Sequence, residues 1–414
     1  MPSASAVPAG HSGAAEAATT TPACTGPGDD AGSVRYAPIA GLAWLHFVSD
    51  GAANFLPGVL PAVLVAVDRS AALAGVLMFA LVAGQALQPV TGMFHRRLGG
   101  DRLIWMGAAG TAIGLGLCGS VHSLPALLAV LVLIGIAGAC FHPQALAAAR
   151  TYAGRRGHFG VALMLLGGEI GAGVWPLVAG AVVAWGSLFS LWIPALVVLA
   201  TLPLAHRWVH APATTVEAVG RRTHLAGRYG ASTRLLAYVA LRGFIAIGAV
   251  AYLPILWKDR GGGLVGGAAL VAVLSLVGML GLLAGSQLAD RVGRRPLLVA
   301  AGPLMALGLA LIASGSAAAL WVGAALTGMA AFATYAVTTL AGQDLFPENR
   351  QFGSGIAFGL GNALGAGLAA AAGLLTRAWT VPGLFWILAV AALVTALLGA
   401  LMRTARPAPA QPAN

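Results

Sequence analysis

The 414-residue chain is strongly apolar, with 59% hydrophobic residues, 8% charged residues, 58 glycines and a mean hydropathy of +0.87. This composition excludes a soluble globular protein and indicates many membrane-spanning helices. The net charge of +11 does not indicate nucleic-acid binding, because the arginines are scattered over short loops. The three cysteines lie far apart, so the sequence predicts neither a disulfide framework nor a metal site.

Apolar stretches of about 20 residues recur from residue 38 to residue 402, which leaves room for about twelve spans. A polar connector divides them, and small and polar residues dominate both ends of the chain. We therefore predict an all-α integral membrane protein of twelve transmembrane helices arranged as two six-helix pseudo-repeat bundles. The predicted divisions are a disordered N-terminal tail at 1–37, bundles at 38–205 and 235–402, a connector at 206–234 and a tail at 403–414.

The basic residues predict the orientation of these spans. Eighteen of the 23 Lys and Arg residues fall on the side that carries both termini, and four fall on the other side. Because basic loops remain in the cytoplasm, we predict that both termini and the connector are cytoplasmic.

The first span carries a carboxylate, Asp50, about 18 Å along its helix and hence near mid-membrane. His46 and Asn54 lie four residues before and after it, on the same helical face. A carboxylate in hydrocarbon is costly unless it pairs, titrates or faces water, so Asp50 and His46 are candidates for proton coupling. The alternative is a static Asp50–His46 hydrogen bond that holds helices together. Asn54 and Gln85, in the second span, are candidates for a polar substrate cavity.

The fifth span carries the second membrane carboxylate, Glu169, among Gly167, Gly168, Gly171 and Gly173. Small residues allow close helix contact, so Glu169 is either a proton-coupling residue or a structural hydrogen-bonding residue at a packed seam.

The two halves of the chain look like copies of one unit. Phe159-Gly160, Gly168 and Gly180 recur 193 residues later as Phe352-Gly353, Gly361 and Gly373. Such repeats place a substrate site near the midplane between the halves. The repeat equivalent of Glu169 is Asn362, a further cavity candidate that does not titrate.

Two further polar residues lie in or beside the spans. Arg242 lies about 10 Å into the seventh span, where it either snorkels to the membrane surface or anchors an anionic substrate through its guanidinium group. His142 precedes Pro143 at the end of the fourth span, and we interpret it as a residue that orders a loop.

Two loops carry charged motifs after the second span of each half. The second-half loop reads Asp290-Arg291-Val-Gly-Arg294-Arg295-Pro, and the first-half loop has Arg96, Arg97 and Asp101 at related positions. The second-half motif resembles the cytoplasmic loop signature of the major facilitator superfamily. That resemblance implies that these seven charged residues latch a cytoplasmic gate. In the first half the acidic and basic positions are exchanged, which implies either a charge-swapped pair of Arg96 and Asp101, a weakened latch or a merely solvated loop.

Other stretches resemble the fosmidomycin-resistance branch of that superfamily, whose members are exporters. They are His46-Phe-Val-Ser-Asp50, Leu56-Pro-Gly-Val-Leu-Pro61, Phe141-His-Pro-Gln144, Gly168-Glu-Ile-Gly171 and Trp175-Pro-Leu-Val-Ala-Gly180. Trp175-Pro176 also resembles the Gly-Pro signature of antiporters, but Trp175 replaces the glycine, which puts both close helix contact and antiport at this point in doubt.

The sequence contains no phosphate-binding loop and no HExxH, CxxC or Ser-His-Asp grouping, so we predict no enzyme. The resemblance implies proton-coupled efflux of a small anionic or amphipathic compound such as a drug, from a bacterial cytoplasmic membrane. The alternative is an uptake permease or facilitator for a small metabolite. We expect a monomer in the lipid bilayer that uses protons as its energy source, with no cofactor and no nucleic-acid partner.

Overall fold

The computed structural model of the chain describes residues 34–88, 91, 99–153, 157–209, 227–347, 350–377 and 379–402, and these residues are almost entirely helical. The connector and both tails lie largely outside the described residues. Up to residue 209 the helices are α1 (Tyr36–Asn54), α2 (Leu56–Ala66), α3 (Ala74–Gln85), α4 (Gly100–Cys118), α5 (Leu124–Tyr152), α6 (Gly157–Trp185) and α7 (Trp192–His206).

A second series of helices follows from residue 229. It comprises α8 (Tyr229–Asp259), α9 (Leu264–Val292), α10 (Arg294–Ser314), α11 (Ala317–Ala333), α12 (Tyr335–Leu345), α13 (Arg350–Ser354), a π-helical turn (Gly355–Leu360), α14 (Gly361–Leu374) and α15 (Val381–Leu401).

Among the described residues, ten helical stretches are long and apolar enough to cross a membrane. The prediction of an all-α membrane protein is therefore confirmed. The two remaining predicted spans contain α3 and α4, which are not among the ten, so the total of twelve stays a prediction.

Two of the spanning stretches are broken near their middles. The first breaks at Phe55, between α1 and α2, where Pro57 lacks the N–H group that would bond to the carbonyl of Ala53. The second breaks at Thr334, between α11 and α12, without a proline. There the hydroxyl groups of Thr334 and Thr338 donate to the backbone carbonyls of Ala331 and Thr334. Broken helices allow polar groups to face the interior of a membrane protein.

Helices α1 and α6 pack closely because glycines line their contact. A Cβ atom on Gly167 or Gly171 would lie 2.2 or 2.3 Å from a backbone oxygen of α1. At Trp175 the small residues lie on the other side of the contact, where Gly51 makes room for the indole ring and Gly58 faces the backbone of Pro176. The helices therefore contact closely at this point even though Trp175 replaces the glycine, and antiport stays a prediction.

Helices α8 and α14 form an analogous glycine contact in the second half of the chain. A Cβ atom on Gly365 would lie 2.6 Å from the backbone that joins Gly243 and Phe244. Each half therefore contains a helix pair with a close backbone contact, α1 with α6 and α8 with α14. Both pairs also carry polar side chains.

We call the face where α1 and α8 begin the near face, and the face where α2 and α8 end the far face. The two halves pack together towards the far face, where α2 contacts α8 and α9, and α3 contacts α14. The backbone N–H of Gly75 donates to the hydroxyl oxygen of Tyr252 at 3.1 Å, which joins α3 to α8. Pro61 of α2 and Pro254 of α8 line one small space of about 150 Å³.

Candidate functional site

Two polar groups lie inside the spanning helices, one in each half of the chain. The first, which we call the carboxylate cluster, consists of His46, Asp50 and His142. The second, which we call the guanidinium site, consists of Arg242, Tyr335 and Thr338.

The carboxylate cluster brings α1 and α5 together. Nε2 of His142 lies 2.9 Å from Oδ1 of Asp50, and Nε2 of His46 lies 3.0 Å from Oδ2. The side chains of Asp50 and His142 are each about one-fifth exposed, at 20% and 19%, whereas His46 is buried. Both oxygens of the membrane carboxylate thus face an imidazole nitrogen, and the carboxylate remains partly exposed.

Backbone carbonyl groups hold both imidazole rings in place. Nδ1 of His46 lies 2.9 Å from the carbonyl oxygen of Met164 on α6, and Nδ1 of His142 lies 2.6 Å from that of Gly138, one turn earlier on α5. A carbonyl oxygen only accepts hydrogen bonds, so both Nδ1 atoms carry a proton and donate. Each Nε2 atom is therefore the nitrogen that is free to gain or lose a proton.

The two contacts with Asp50 differ in alignment. The 3.0 Å approach of His46 Nε2 to Oδ2 is close enough for an ion pair, but that nitrogen has no aligned hydrogen-bond partner among the described residues. We therefore regard it as an electrostatic contact that a protonated ring strengthens. His142 makes the shorter contact.

These three side chains are of types that also bind metal ions, and their nitrogen and oxygen atoms lie within 4.8 Å of one another. The N–O separations of 2.9 and 3.0 Å are hydrogen-bond distances. A proton therefore fits between Asp50 and each imidazole nitrogen without a movement of the side chains.

The interpretation of His142 as a loop residue was wrong. The residue lies inside α5, which continues through Pro143 to Tyr152, and its ring contacts Asp50. The predicted pair of His46 and Asp50 is present as a contact, and its role in proton coupling stays a prediction.

The other first-half candidates lie around the carboxylate cluster. Glu169 is half-buried on α6, close enough to interact electrostatically with Asp50 and His46. Asn54 donates from Nδ2 to the backbone carbonyl of Asp50 at 2.8 Å, so it supports the broken helix and does not contact the carboxylate. Gln85 is half-buried at the end of α3, apart from the residues that contact Asp50.

The guanidinium site is built around a fully buried arginine. Arg242 is 0% exposed, so it does not snorkel to the surface as the alternative interpretation proposed. Its Nη1 donates to the hydroxyl of Thr338 at 3.1 Å, and its Cζ lies 3.6 Å from the centre of the Tyr335 ring. Both partners belong to α12, directly after the break at Thr334.

The remaining donors of Arg242 are unsatisfied. Nε and Nη2 have no hydrogen-bond partner among the described residues, and no described carboxylate forms an ion pair with the guanidinium group. Nε and Nη2 form one edge of the planar group, the edge that can grip two oxygens of an anion at once. Oδ1 of the cavity candidate Asn362 also has no hydrogen-bond partner among the residues that the structure describes, and it lies next to Gly243 on the same helix as Arg242.

The predicted gate residues are only partly described. Arg96 and Arg97 lie outside the described residues, and Asp101 lies in the first turn of α4. In the second half, Asp290, Arg291 and Arg295 are exposed. Arg294 forms an ion pair with Asp344 at the end of α12, a partner that the sequence did not indicate.

Comparison with known families agrees with the fold. The model of the Major Facilitator Superfamily matches residues 42–369 and 268–414. The chain belongs to the Major Facilitator Superfamily. It is accordingly a multi-pass membrane transporter that acts on a small molecule, and not an enzyme, whereas the fosmidomycin-resistance branch stays a prediction.

Solved structures of transporters are similar in fold. A point mutant of the nucleoside transporter NupG has a TM-score of 0.74 at 16% identity and covers 88% of this chain and 100% of its own. The POT-family transporter PepTSo has 0.69 at 12% identity, covering 88% and 97%. A bacterial homologue of the human lysosomal transporter Spinster, solved inward-facing and unoccupied, has 0.67 at 16%, covering 90% and 96%. No curated protein sequence matches significantly.

Proposed function

We propose that this transporter couples protons to the efflux of a small anionic or amphipathic organic compound, such as a drug, by alternating access. The observation that carries the proposal is the carboxylate cluster. It holds a membrane-embedded, partly accessible Asp50 between two imidazole nitrogens at hydrogen-bond distances. A group that can exchange protons in mid-membrane provides the link between a proton gradient and a conformational change.

The guanidinium site supports an anionic substrate. A buried, unpaired charge is costly, and Arg242 has two free donors on one edge. A carboxylate or another oxyanion would satisfy both donors and neutralise the charge. The ring of Tyr335, which stacks on the guanidinium group, would remain in place.

The packing supports a state that is open on one side. The halves contact each other towards the far face, while the exposed gate charges on the near-face loop of the second half make no latch across the halves among the described residues. By the positive-inside rule the near face is cytoplasmic, so this state is open to the cytoplasm. We propose a monomer of twelve helices in two six-helix bundles, with both termini cytoplasmic in a bacterial cytoplasmic membrane.

Reconstitution tests the coupling. In liposomes with an imposed pH gradient, the wild type should accumulate salicylate or benzylphosphonate against a concentration gradient and should leave the cation ethidium unmoved. Asp50→Asn removes the titratable proton, so accumulation should fall to background while exchange of labelled for unlabelled anion continues. Asp68→Asn alters an exposed carboxylate and is the matched control. Undiminished accumulation by Asp50→Asn would show that Asp50 is structural.

Growth assays test the direction, which rests on the resemblance to exporters. Overexpression should raise the tolerance of cells to toxic anions such as fosmidomycin, and deletion should lower it. An importer would give the opposite pair of results, because overexpression would then raise sensitivity.

A further inference from the structure

The carboxylate cluster joins three titratable side chains through two N–O contacts, at 2.9 and 3.0 Å. We propose that it binds two protons, one in each N–O contact of Asp50, and that His142 is a proton-carrying residue. This assignment rests on the proposed function, since it gives the coupling protons their sites.

The number follows from donors and acceptors. Both Nδ1–H groups are committed to backbone carbonyls, so a neutral His46 or His142 presents a bare Nε2 lone pair to Asp50. With no added proton, an anionic carboxylate would face two lone pairs at 2.9 and 3.0 Å, which is repulsive on both sides.

Each added proton removes one of these repulsions. The first proton bridges His142 Nε2 and Oδ1, which makes the cluster neutral. The second resides on His46 Nε2, the buried nitrogen without an aligned partner, and converts its contact with Oδ2 into an ion pair. The charge of the cluster therefore passes from −1 through zero to +1, and the observed distances suit the doubly protonated form.

Helices α4, α5 and α6 pack against α1, which carries His46 and Asp50. Among the described residues, Glu169 on α6 is the further titratable group that interacts electrostatically with Asp50 and His46. On α4, Thr111 reaches Ser49 with its hydroxyl group and carries no charge. On α5, His142 is itself a member of the cluster.

Proton binding by purified protein tests the proposal without any substrate. Protein in unbuffered detergent solution is titrated from pH 9 to pH 5, and the uptake of protons per molecule is counted. The wild type should take up two more protons than the variant that combines Asp50→Asn, His46→Gln and His142→Gln. A variant that retains His142 but carries Asp50→Asn and His46→Gln should not regain the missing protons, because the carboxylate partner of His142 is absent.

Nuclear magnetic resonance of ¹⁵N-labelled histidine rings gives a second measurement that a purely structural role would not move. At high pH, His46 and His142 should be in the Nδ1–H form, which is the minor form of free histidine. Both rings should gain a proton on Nε2 at lower pH, and Asp50→Asn should shift both transitions. His122→Gln, which alters an exposed residue, assigns one further signal and should change neither transition.

A difference of one proton, or a His142 ring that titrates independently of Asp50, would overturn the proposal. These proton-binding measurements are made at equilibrium, so their outcome is separate from that of the transport assay. If two protons bind but Asp50→Asn still accumulates anions, the proton sites stand and the proposed coupling fails. If accumulation is lost in Asp50→Asn but only one proton binds, the proposed function stands and this assignment fails.

Discussion

The carboxylate cluster and the guanidinium site carry charged groups of opposite sign, and they differ in how far those groups are paired within the protein. Asp50 has a nitrogen partner for each of its oxygens, whereas Arg242 has one hydroxyl partner, one stacked ring and two donors without a partner among the described residues. By the 193-residue offset of the repeat, the position equivalent to Asp50 is Gly243, directly after Arg242.

The difference suggests a separate task for each half of the chain. Asp50 is paired with titratable histidines of the protein itself, and this arrangement suits proton exchange because the histidines can release protons while they stay in place. A buried charge with an open edge suits a ligand that brings the missing counter-charge. The proposed proton coupling would thus lie in the first half and the proposed substrate recognition in the second.

The largest expected effect comes from removing the satisfied charge. Asp50→Leu leaves two imidazoles that face an apolar side chain, and the loss of both contacts should destabilise the protein by about 3 kcal/mol. Thermal unfolding in detergent should show a clear fall in Tm. Asp259→Leu removes an exposed carboxylate at the end of α8 and should leave Tm nearly unchanged. Similar Tm values for both variants would mean that the cluster contributes no stability.

Removing the unsatisfied charge should have the opposite effect on stability. Arg242→Met relieves a buried charge without a counter-ion, so Tm should rise, while binding of benzylphosphonate should weaken by roughly 10- to 100-fold because charge-assisted hydrogen bonds are lost. Binding is measured by the protection of the protein against heat. Arg69→Met, at an exposed arginine, is the control. A fall in Tm with unchanged binding would make Arg242 a structural residue.

Two glycine substitutions should separate the sites. A Cβ atom at position 171 would push α1 away from α6 and so weaken the bond between His46 and Met164. Gly171→Ala should therefore impair proton-driven accumulation with little change in anion binding. Gly365→Ala presses on the backbone next to Arg242 and should weaken anion binding first. Gly230→Ala, where a Cβ atom meets nothing within 4 Å, is the matched control. Equal effects on both measurements in both variants would refute the division of tasks.

The smallest effects are expected in the near-face loops, where the charges are exposed and screened by salt. Asp290→Asn should slow turnover several-fold at most and leave membrane insertion intact, because it weakens contacts that form only when the near face closes. Arg96→Asp should impair transport, and adding Asp101→Arg should restore it if the two residues are charge-swapped partners. Equal transport by the wild type and all these variants would show that the loops are only solvated turns.

The sequence was sufficient for features that depend on local spacing. The apolar stretches predicted the helices, and the four-residue separation of His46 and Asp50 predicted their contact on one face. The glycines around Glu169 predicted a close helix contact, which α1 and α6 make.

Contacts between distant parts of the chain could not be predicted in the same way. His142 meets Asp50 only because α5 packs beside α1, and Thr338 meets Arg242 across 96 residues. No periodicity along the chain encodes which helices become neighbours. The position of His142 directly before Pro143 predicts the end of a helix, although α5 continues through Pro143.

The hydrogen bond from the backbone N–H of Gly75 makes Tyr252 an intrinsic spectroscopic probe. The phenol group belongs to one half and its donor to the other, so in the proposed alternating-access cycle the bond would break when the far face opens. The ultraviolet absorption and Raman bands of a tyrosine respond to the hydrogen bonding of its hydroxyl group. Subtracting the spectrum of Tyr252→Phe from that of the wild type identifies the Tyr252 bands, and these bands should then change in the wild type when the far face opens, without an attached dye.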